Sequence, residues 1–219
     1  GIEFRHGWGM TETSPLGAVN KLLPAHREQS VEERSRFQTK QGRAPYGIEL
    51  RIVDQDGAAL PHDGVAYGEL QARGPWVANG YFRSDADVLT DDGWFPTGDV
   101  ATIDAESFVQ ITDRTKDLIK SGGEWISSID VENTAMGHPA IAMAAVIGVP
   151  SEKWGERPIL VAVAREGTVA PTKDEVRDFL SDSLAKWQLP DEVIFVDALP
   201  MGATGKVQKT KLREQYAGG

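Results

Sequence analysis

The pattern of apolar residues changes at Asp113-Arg114, and that change limits what this chain can fold into. Before it, short alternating runs are cut by glycine and proline. Residues 1–44 open on a loop-like motif and continue as a polar stretch, in which the Glu28-to-Arg36 charge run reads as a solvated face. Tyr46 to Asp54 sets Ile48, Leu50 and Ile52 against Glu49 and Arg51, which predicts a strand, and Asp54-Gln-Asp-Gly57 a turn. Tyr67 to Arg73, closed by Gly74-Pro75, predicts a second strand, and Phe108 to Thr112 a third.

After Arg114 the signals alternate between strand and helix. Asp117 to Lys120 and Glu124 to Ser127 flank Gly122-Gly123, a hairpin with a glycine turn. Ser127 or Ser128 caps a helix that runs to about Met136 and stops at Gly137-His-Pro139. Ala142 to Val149 and Pro158 to Ala164 predict buried strands. Thr172-Lys-Asp-Glu175 is a capping box, and Val176, Phe179, Leu180 and Leu184 form one apolar stripe behind it. Glu192 to Val196 predicts a last strand. A β–α–β–β–α–β order predicts a small α+β domain of about a hundred residues, with its boundary near Arg114 to Lys116.

Composition removes several functional classes. With 219 residues, 40% of them hydrophobic, the chain can bury a real core, and no apolar run reaches the roughly 18 residues of a membrane span. The net charge is −10 with no relieving basic cluster, which argues against a nucleic-acid partner, since phosphate-backbone binding rests on Lys and Arg. There is no cysteine, so disulfides, thiolate metal sites and a catalytic thiol are excluded, and a cytoplasmic location is expected. The four histidines, His6, His26, His62 and His138, show no ligand spacing to one another.

Five blocks then occur in a fixed order: Gly7-Trp-Gly-Met-Thr-Glu12, Gly68-Glu-Leu70, Thr97-Gly-Asp99, Asp113-Arg-Thr-Lys-Asp-Leu-Ile-Lys120-Ser-Gly-Gly123, and Pro200-Met-Gly-Ala-Thr-Gly-Lys206-Val-Gln-Lys209. Taken singly each has an ordinary reading. Trp8 serves as a core residue at a capped helix start, Asp99 as a turn aspartate, Arg114 as a surface ion pair, and Gly122-Gly123 as a tight turn. A Gly-Lys pair in a polar tail is a solvated feature. Together the blocks resemble the AMP-forming acyl-CoA synthetases, in the superfamily of adenylating enzymes that also holds luciferases and peptide-synthetase adenylation domains.

The resemblance implies an α/β and α+β architecture. Residues 1–114 would be the β-rich end of a large AMP-binding domain, and residues 115–219 a small mobile lid domain. It implies a reaction in which ATP and a carboxylic acid give acyl-AMP, and CoA then takes the acyl group. A carboxylate and an α-phosphate are both anions, so cations must screen them. Glu12 would hold Mg²⁺, a hard ion that favours oxygen. Thr11 would hydrogen-bond the α-phosphate, and Trp8, beside Gly9, would stack on adenine. Asp99, a bidentate acceptor, suits the ribose hydroxyls, and Arg114 a second ribose or phosphate contact. Lys116 matches a hinge. Lys206 would reach the acyl carboxylate and α-phosphate in the first half-reaction. In the second, the Lys120–Trp125 hairpin would take its place, with Lys120 assisting the nucleotide or thiol side and Gly122 and Gly123 letting CoA pass close to backbone. Trp125 reads either as a wall of the site in the thioester pose or as plain packing. Gly68-Glu69-Leu70 and Gly80-Tyr81 read as sheet and turn, and Trp94 as packing.

The wording of Gln110-Ile-Thr-Asp-Arg114 and Ser121-Gly-Gly-Glu-Trp-Ile-Ser-Ser128 is most similar to bacterial fatty-acyl-CoA synthetases, the medium-chain and methylthiopropionate-activating members included. Two rivals stay open. One keeps adenylation and passes the acyl group to a carrier protein or another acceptor. The other, prompted by the Gly1-Ile-Glu-Phe4 start and by the lack of the family's Ser/Thr/Gly-rich phosphate loop, reads the chain as a piece of a longer protein. As it stands that piece would be a non-catalytic module that at most binds nucleotide. A homodimer is compatible with the resemblance.

Overall fold

In the computed structural model, which describes residues 5–203 and 205–217, the chain divides into two units, Gly1–Thr115 and Lys116–Gly219. The Gly1-Ile-Glu-Phe4 start, Thr204 of the last sequence block and the final two residues lie outside the described residues.

The first unit opens with a hairpin of β1 (Gly7–Gly9) and β2 (Leu16–Val19), in which Trp8 faces Ala18. α1 (Val31–Gln38) follows, capped by Ser30, whose Oγ accepts from the Glu33 amide at 3.2 Å while Glu33 accepts from the Ser30 amide at 2.9 Å. The four strands β3 (Glu49–Val53), β4 (Tyr67–Arg73), β5 (Phe95–Ile103) and β6 (Val109–Arg114) form an antiparallel meander in that order. Ile52, Leu70, Ala101, Ile103 and Val109 make its core, with Trp8 packed against it. The Gln41–Arg43 segment bonds to β2 through Arg43 and to Val109 of β6, so it ties the hairpin to the sheet edge.

The second unit begins with β7 (Ile119–Ser121) and β8 (Glu124–Ile126), joined by Gly122 at φ +62° and Gly123 at φ +89°. Two consecutive positive-φ residues are what a tight two-residue hairpin turn requires, and glycine adopts them without steric cost. Next come α2 (Ser128–Met136), β9 (Ile141–Ser151), β10 (Gly155–Ala164), α3 (Lys173–Ser181), β11 (Glu192–Phe195) and α4 (Lys209–Tyr216). β9 and β10 form a long antiparallel pair, and β11 lies parallel to β10 after the α3 crossover. Both faces of these strands are buried. Ala144, Val146, Leu160 and Ala162 pack with Val131, Ala135, Val176 and Leu180 of α2 and α3. Ala145, Ile147, Ile159 and Val161 pack with Leu199 and Leu212. That double burial explains why β9 and β10 read as continuous apolar runs rather than alternating ones.

Three elements differ from the sequence reading. The charge run at 28–36 is largely helix α1, whose residues are exposed or half-buried all round, so no apolar stripe announced it. Thr97-Gly-Asp99 lies inside strand β5 rather than in a turn. α4 was not predicted at all, although Leu212 and Tyr216 have the i, i+4 spacing of one buried face. Among the described residues no helix is long and apolar enough to cross a membrane.

Candidate active site

In the first unit the structure brings three of the predicted residues together. The Asp99 carboxylate is buried, and it is held from two sides. The Trp8 indole N–H donates to Oδ2 at 2.8 Å, and Arg114 Nε lies 2.8 Å from Oδ1. The second contact follows from sheet register, since Asp99 and Arg114 are direct partners across β5 and β6. The first comes from the β1–β2 hairpin. Its close packing depends on two glycines: a Cβ on Gly17 would lie 2.2 Å from the Trp8 ring, and one on Gly9 would lie 1.8 Å from the Pro15 carbonyl oxygen. Gly9 therefore has a backbone reason for its identity, whatever else it does. Gly98, at φ +72°, has no heavy atom within 4 Å of where a Cβ would stand, and its carbonyl accepts from the Thr115 amide at 2.9 Å. Thr97 Oγ1 donates to the Leu70 carbonyl at 2.7 Å and receives the Asp99 amide at 3.2 Å. The carboxylate is thus fixed through its backbone as well as through its oxygens.

Thr11 and Glu12 lie in the short 3-10 turn Thr11–Thr13 that follows β1. Thr13 is the buried anchor of that turn. Its Oγ1 accepts from the Met10 amide at 3.0 Å and sits 2.7 Å from the Pro15 carbonyl. Thr11 stays exposed and Glu12 half-buried. The Glu12 carbonyl accepts from the Ala78 amide at 2.7 Å, and its Oε1 accepts from the Tyr81 hydroxyl at 2.7 Å. That donated bond to a carboxylate raises the Tyr81 phenol above its usual value. Sequence reasoning assigned Tyr81 to a turn and missed this contact, which spans almost seventy residues.

The donor set near Glu12 fits a phosphate-borne Mg²⁺ rather than an all-protein metal cage. Among the described residues no group of three or more His, Asp or Glu side chains converges on one point. A magnesium ion carried by substrate phosphates keeps several waters and takes only one or two protein carboxylates. Glu12, with one oxygen oriented by Tyr81, meets that requirement. Two of the four histidines have structural ring partners: His26 is buried, stacked 3.9 Å from Phe37 and 3.0 Å from Glu106, and His138 meets the edge of Phe179.

In the second unit the predicted residues fall into two places. Lys120, Gly122 and Gly123 occupy the β7–β8 hairpin, whose amides are held from Trp154 onward. The Gly122 amide donates to the Trp154 carbonyl at 2.7 Å, and the Lys120 amide donates to Glu156 Oε2 at 2.9 Å. A Cβ on Gly122 would lie 2.8 Å from the Trp154 ring, so the glycine turn and the indole are packed on each other. Lys206 lies in the Met201–Val207 loop, closed by a bond from the Gly202 amide to the Lys206 carbonyl at 2.7 Å. Its side chain is exposed, and no hydrogen bond or ion pair reaches it among the described residues. Lys116, Lys206 and Lys209 line one open groove of about 680 Å³ together with Asp117 and Glu214. Lys209, by contrast, is bound: its Nζ lies 2.7 Å from Glu132 and 2.6 Å from Ser128 Oγ.

The first unit thus presents an oriented carboxylate at Asp99 and a second carboxylate at Glu12, and the second unit presents the exposed Lys206 ammonium on a loop. Comparison with known proteins points the same way. The family described as AMP-binding enzyme matches residues 1–82, and the AMP-binding enzyme C-terminal domain matches residues 130–206. The chain is 55% identical to 3-methylmercaptopropionyl-CoA ligase of Ruegeria lacuscaerulensis, over 99% of this chain and 40% of that one. It is 50% identical to medium-chain-fatty-acid–CoA ligase of Ectopseudomonas oleovorans, over 99% of this chain and 39% of that one. Among solved structures, ATP-bound MatB from Rhodopseudomonas palustris superposes with a TM-score of 0.82 at 33% identity, covering 98% of this chain and 41% of that one. The chain spans about 40% of the length of the curated relatives it matches. With the AMP-binding enzyme model and its C-terminal domain model matched in order along most of its length, the chain belongs to the AMP-binding enzyme family.

Proposed function

We propose that the protein carrying this chain is an AMP-forming carboxylic acid–CoA ligase. It would convert acid and ATP to acyl-AMP and pyrophosphate, and then acyl-AMP and CoA to acyl-CoA and AMP. The observation that carries this reading is the Trp8–Asp99–Arg114 cluster: a buried carboxylate with both oxygens oriented is suited to accept the two ribose hydroxyls of a nucleotide. The indole and the guanidinium orient the two oxygens, and a carboxylate is the bidentate acceptor that two vicinal hydroxyls call for.

In this reading Arg114, half exposed, adds a ribose or phosphate contact, Trp8 stacks on adenine beside Gly9, and Thr11 hydrogen-bonds the α-phosphate. Mg²⁺ held by Glu12 would neutralise phosphate charge as the acid approaches. Lys206 supplies the positive charge between the acyl carboxylate and the α-phosphate, and its exposed side chain, with no ion pair among the described residues, is available to arrive and depart. Lys116 is the hinge between the two poses. The hairpin carrying Lys120, Gly122 and Gly123 serves the CoA step, where turn glycines without side chains leave room for a narrow pantetheine arm. The acid is proposed to be a fatty or thioether-containing acid. The support is the identity to relatives whose names specify methylmercaptopropionate and medium-chain fatty acids.

The test is AMP release by the complete gene product with ATP, Mg²⁺ and acids from acetate to palmitate plus methylthiopropionate, with and without CoA. CoA-dependent AMP release is expected. Pyrophosphate exchange with no CoA effect would keep the adenylation and move the acceptor to a carrier protein or an amine. The 219 residues alone are expected to release no AMP, because no phosphate loop lies among them.

A further inference from the structure

The β7–β8 hairpin has a buried base and a tip that contacts a short stretch of chain at the start of β10. Ile119 and Ile126 at its base are fully buried in the core beneath α2 and α3. Its tip touches the main sheet through a single strand pairing, Gly155 with Ser121. Four consecutive residues contact the tip. Trp154 accepts the Gly122 amide, Gly155 pairs with Ser121, Glu156 accepts the Lys120 amide, and Arg157 donates to Ser121 Oγ at 3.0 Å.

Arg157 differs from the others in reach. A guanidinium has five N–H donors, and here all five are used. Nη1 also donates to the Trp187 carbonyl at 2.7 Å, Nη2 to the Leu189 carbonyl at 3.0 Å and to Asp191 Oδ1 at 2.8 Å, and Nε to Asp191 Oδ2 at 3.0 Å. The side chain is only 12% exposed. One planar group therefore joins the hairpin tip, the Lys186–Gln188 turn and the start of β11. Lysine has three donors on a tetrahedral nitrogen and cannot reproduce that fork.

We infer that Arg157 is a positioning residue for the glycine hairpin, fixing where its tip stands in the acyl-transfer step and contributing nothing to adenylation. The role in transfer rests on the function proposed above. The fixing of the tip rests only on the contacts.

The experiment compares the wild-type complete gene product with Arg157→Lys and Ser121→Ala. Ser121→Ala removes the hairpin contact while leaving the four bonds to Trp187, Leu189 and Asp191, which guards against an Arg157 variant that fails to fold. Adenylation is read by pyrophosphate exchange, and transfer by thioester formation from supplied acyl-AMP and CoA. Misplacing a reacting group by about 1 Å costs on the order of 100-fold, so Arg157→Lys is expected to slow transfer by about that factor while exchange stays within about twofold. Ser121→Ala is expected to slow transfer about tenfold, the loss of one charge-assisted bond. Amide hydrogen exchange of residues 119–126 is expected to accelerate in both variants, with the centre of β9 and β10 unchanged. Equal losses in both half-reactions, no loss in either, or hairpin amides as protected as in wild type would each overturn the inference. A wild-type protein without CoA-dependent AMP release would instead overturn the proposed function. The amide exchange would still decide whether Arg157 holds the tip.

Discussion

Asp99 and Lys206 are both charged groups assigned to one reaction, and the chain treats them in opposite ways. Asp99 sits on a central strand, buried, with its amide bonded to Thr97, one oxygen on Trp8 and the other on Arg114. Lys206 sits on a loop, exposed, with no partner among the described residues. The difference is not a matter of unit 2 being loosely built, because Lys209 on the same segment is locked between Glu132 and Ser128. A group that reads a bound ligand gains from being fixed beforehand, since the ordering cost falls in folding rather than in binding. A group that must reach an anion in one half-reaction and withdraw in the next gains from having no competing partner.

The first way to sharpen this contrast is to break the bound lysine. Lys209→Met leaves the half-buried Glu132 carboxylate short of its counter-ion. It is expected to cost about 3 kcal/mol of stability, measured by urea unfolding. A cost below about 1 kcal/mol, the range of a surface pair, would remove the distinction between the two lysines. Next is the fixed side. Trp8→Phe keeps an aromatic face and deletes the N–H to Asp99. A hydrogen bond to a charged group is worth about 2 kcal/mol, so nucleotide affinity should fall roughly 30-fold with little change in the transfer half-reaction. An unchanged affinity would mean that Asp99 needs only Arg114.

Legibility in the sequence followed the same division. Tyr67–Arg73 and the Thr172–Glu175 capping box carry their signals within a few residues, and both elements stand where the pattern placed them. The glycine hairpin was legible because two adjacent positive-φ residues can be recognised locally. Strand β5 was not, because Pro96 and Gly98 mimic the punctuation of a turn while the sheet on both sides overrides it. Helix α1 lacked an apolar stripe, and only the Ser30-Val-Glu-Glu33 capping pattern could have found it. The site was legible as a list of residues and not as a set of contacts. Nothing in a linear reading links Trp8 to Asp99, or Tyr81 to Glu12, or Arg157 to both Ser121 and the 187–191 stretch.

Two smaller effects test the rigidity of each unit. Gly122→Ala puts a Cβ at φ +62° and against the Trp154 ring. A left-handed alanine costs about 1–2 kcal/mol, and Trp154, being exposed, can shift to limit the clash, so a loss in that range is expected in thermal unfolding of unit 2. A neutral substitution would mean that the turn is not held in this conformation. In the first unit, Arg51 forms a fork with Asp92 at 2.6 and 3.0 Å, which draws the carboxyl from 3.8 down to about 2. A depressed carboxyl contributes stability above its unfolded value and loses it as the pH falls through the folded one. This exposed pair should therefore give a slight loss of stability between pH 4 and pH 2 that Asp92→Asn abolishes. A pH profile identical in the two proteins would contradict that assignment.

The central claim, that one charged group is fixed and the other free to leave, is tested most directly by Lys206→Ala in the complete gene product, with the two half-reactions measured separately. The account predicts a fall of about 10²–10³-fold in acyl-adenylate formation, the usual cost of removing charge stabilisation at an oxyanion. It also predicts thioester formation from supplied acyl-AMP at the wild-type rate and an unchanged unfolding midpoint. An equal loss in both half-reactions would contradict it.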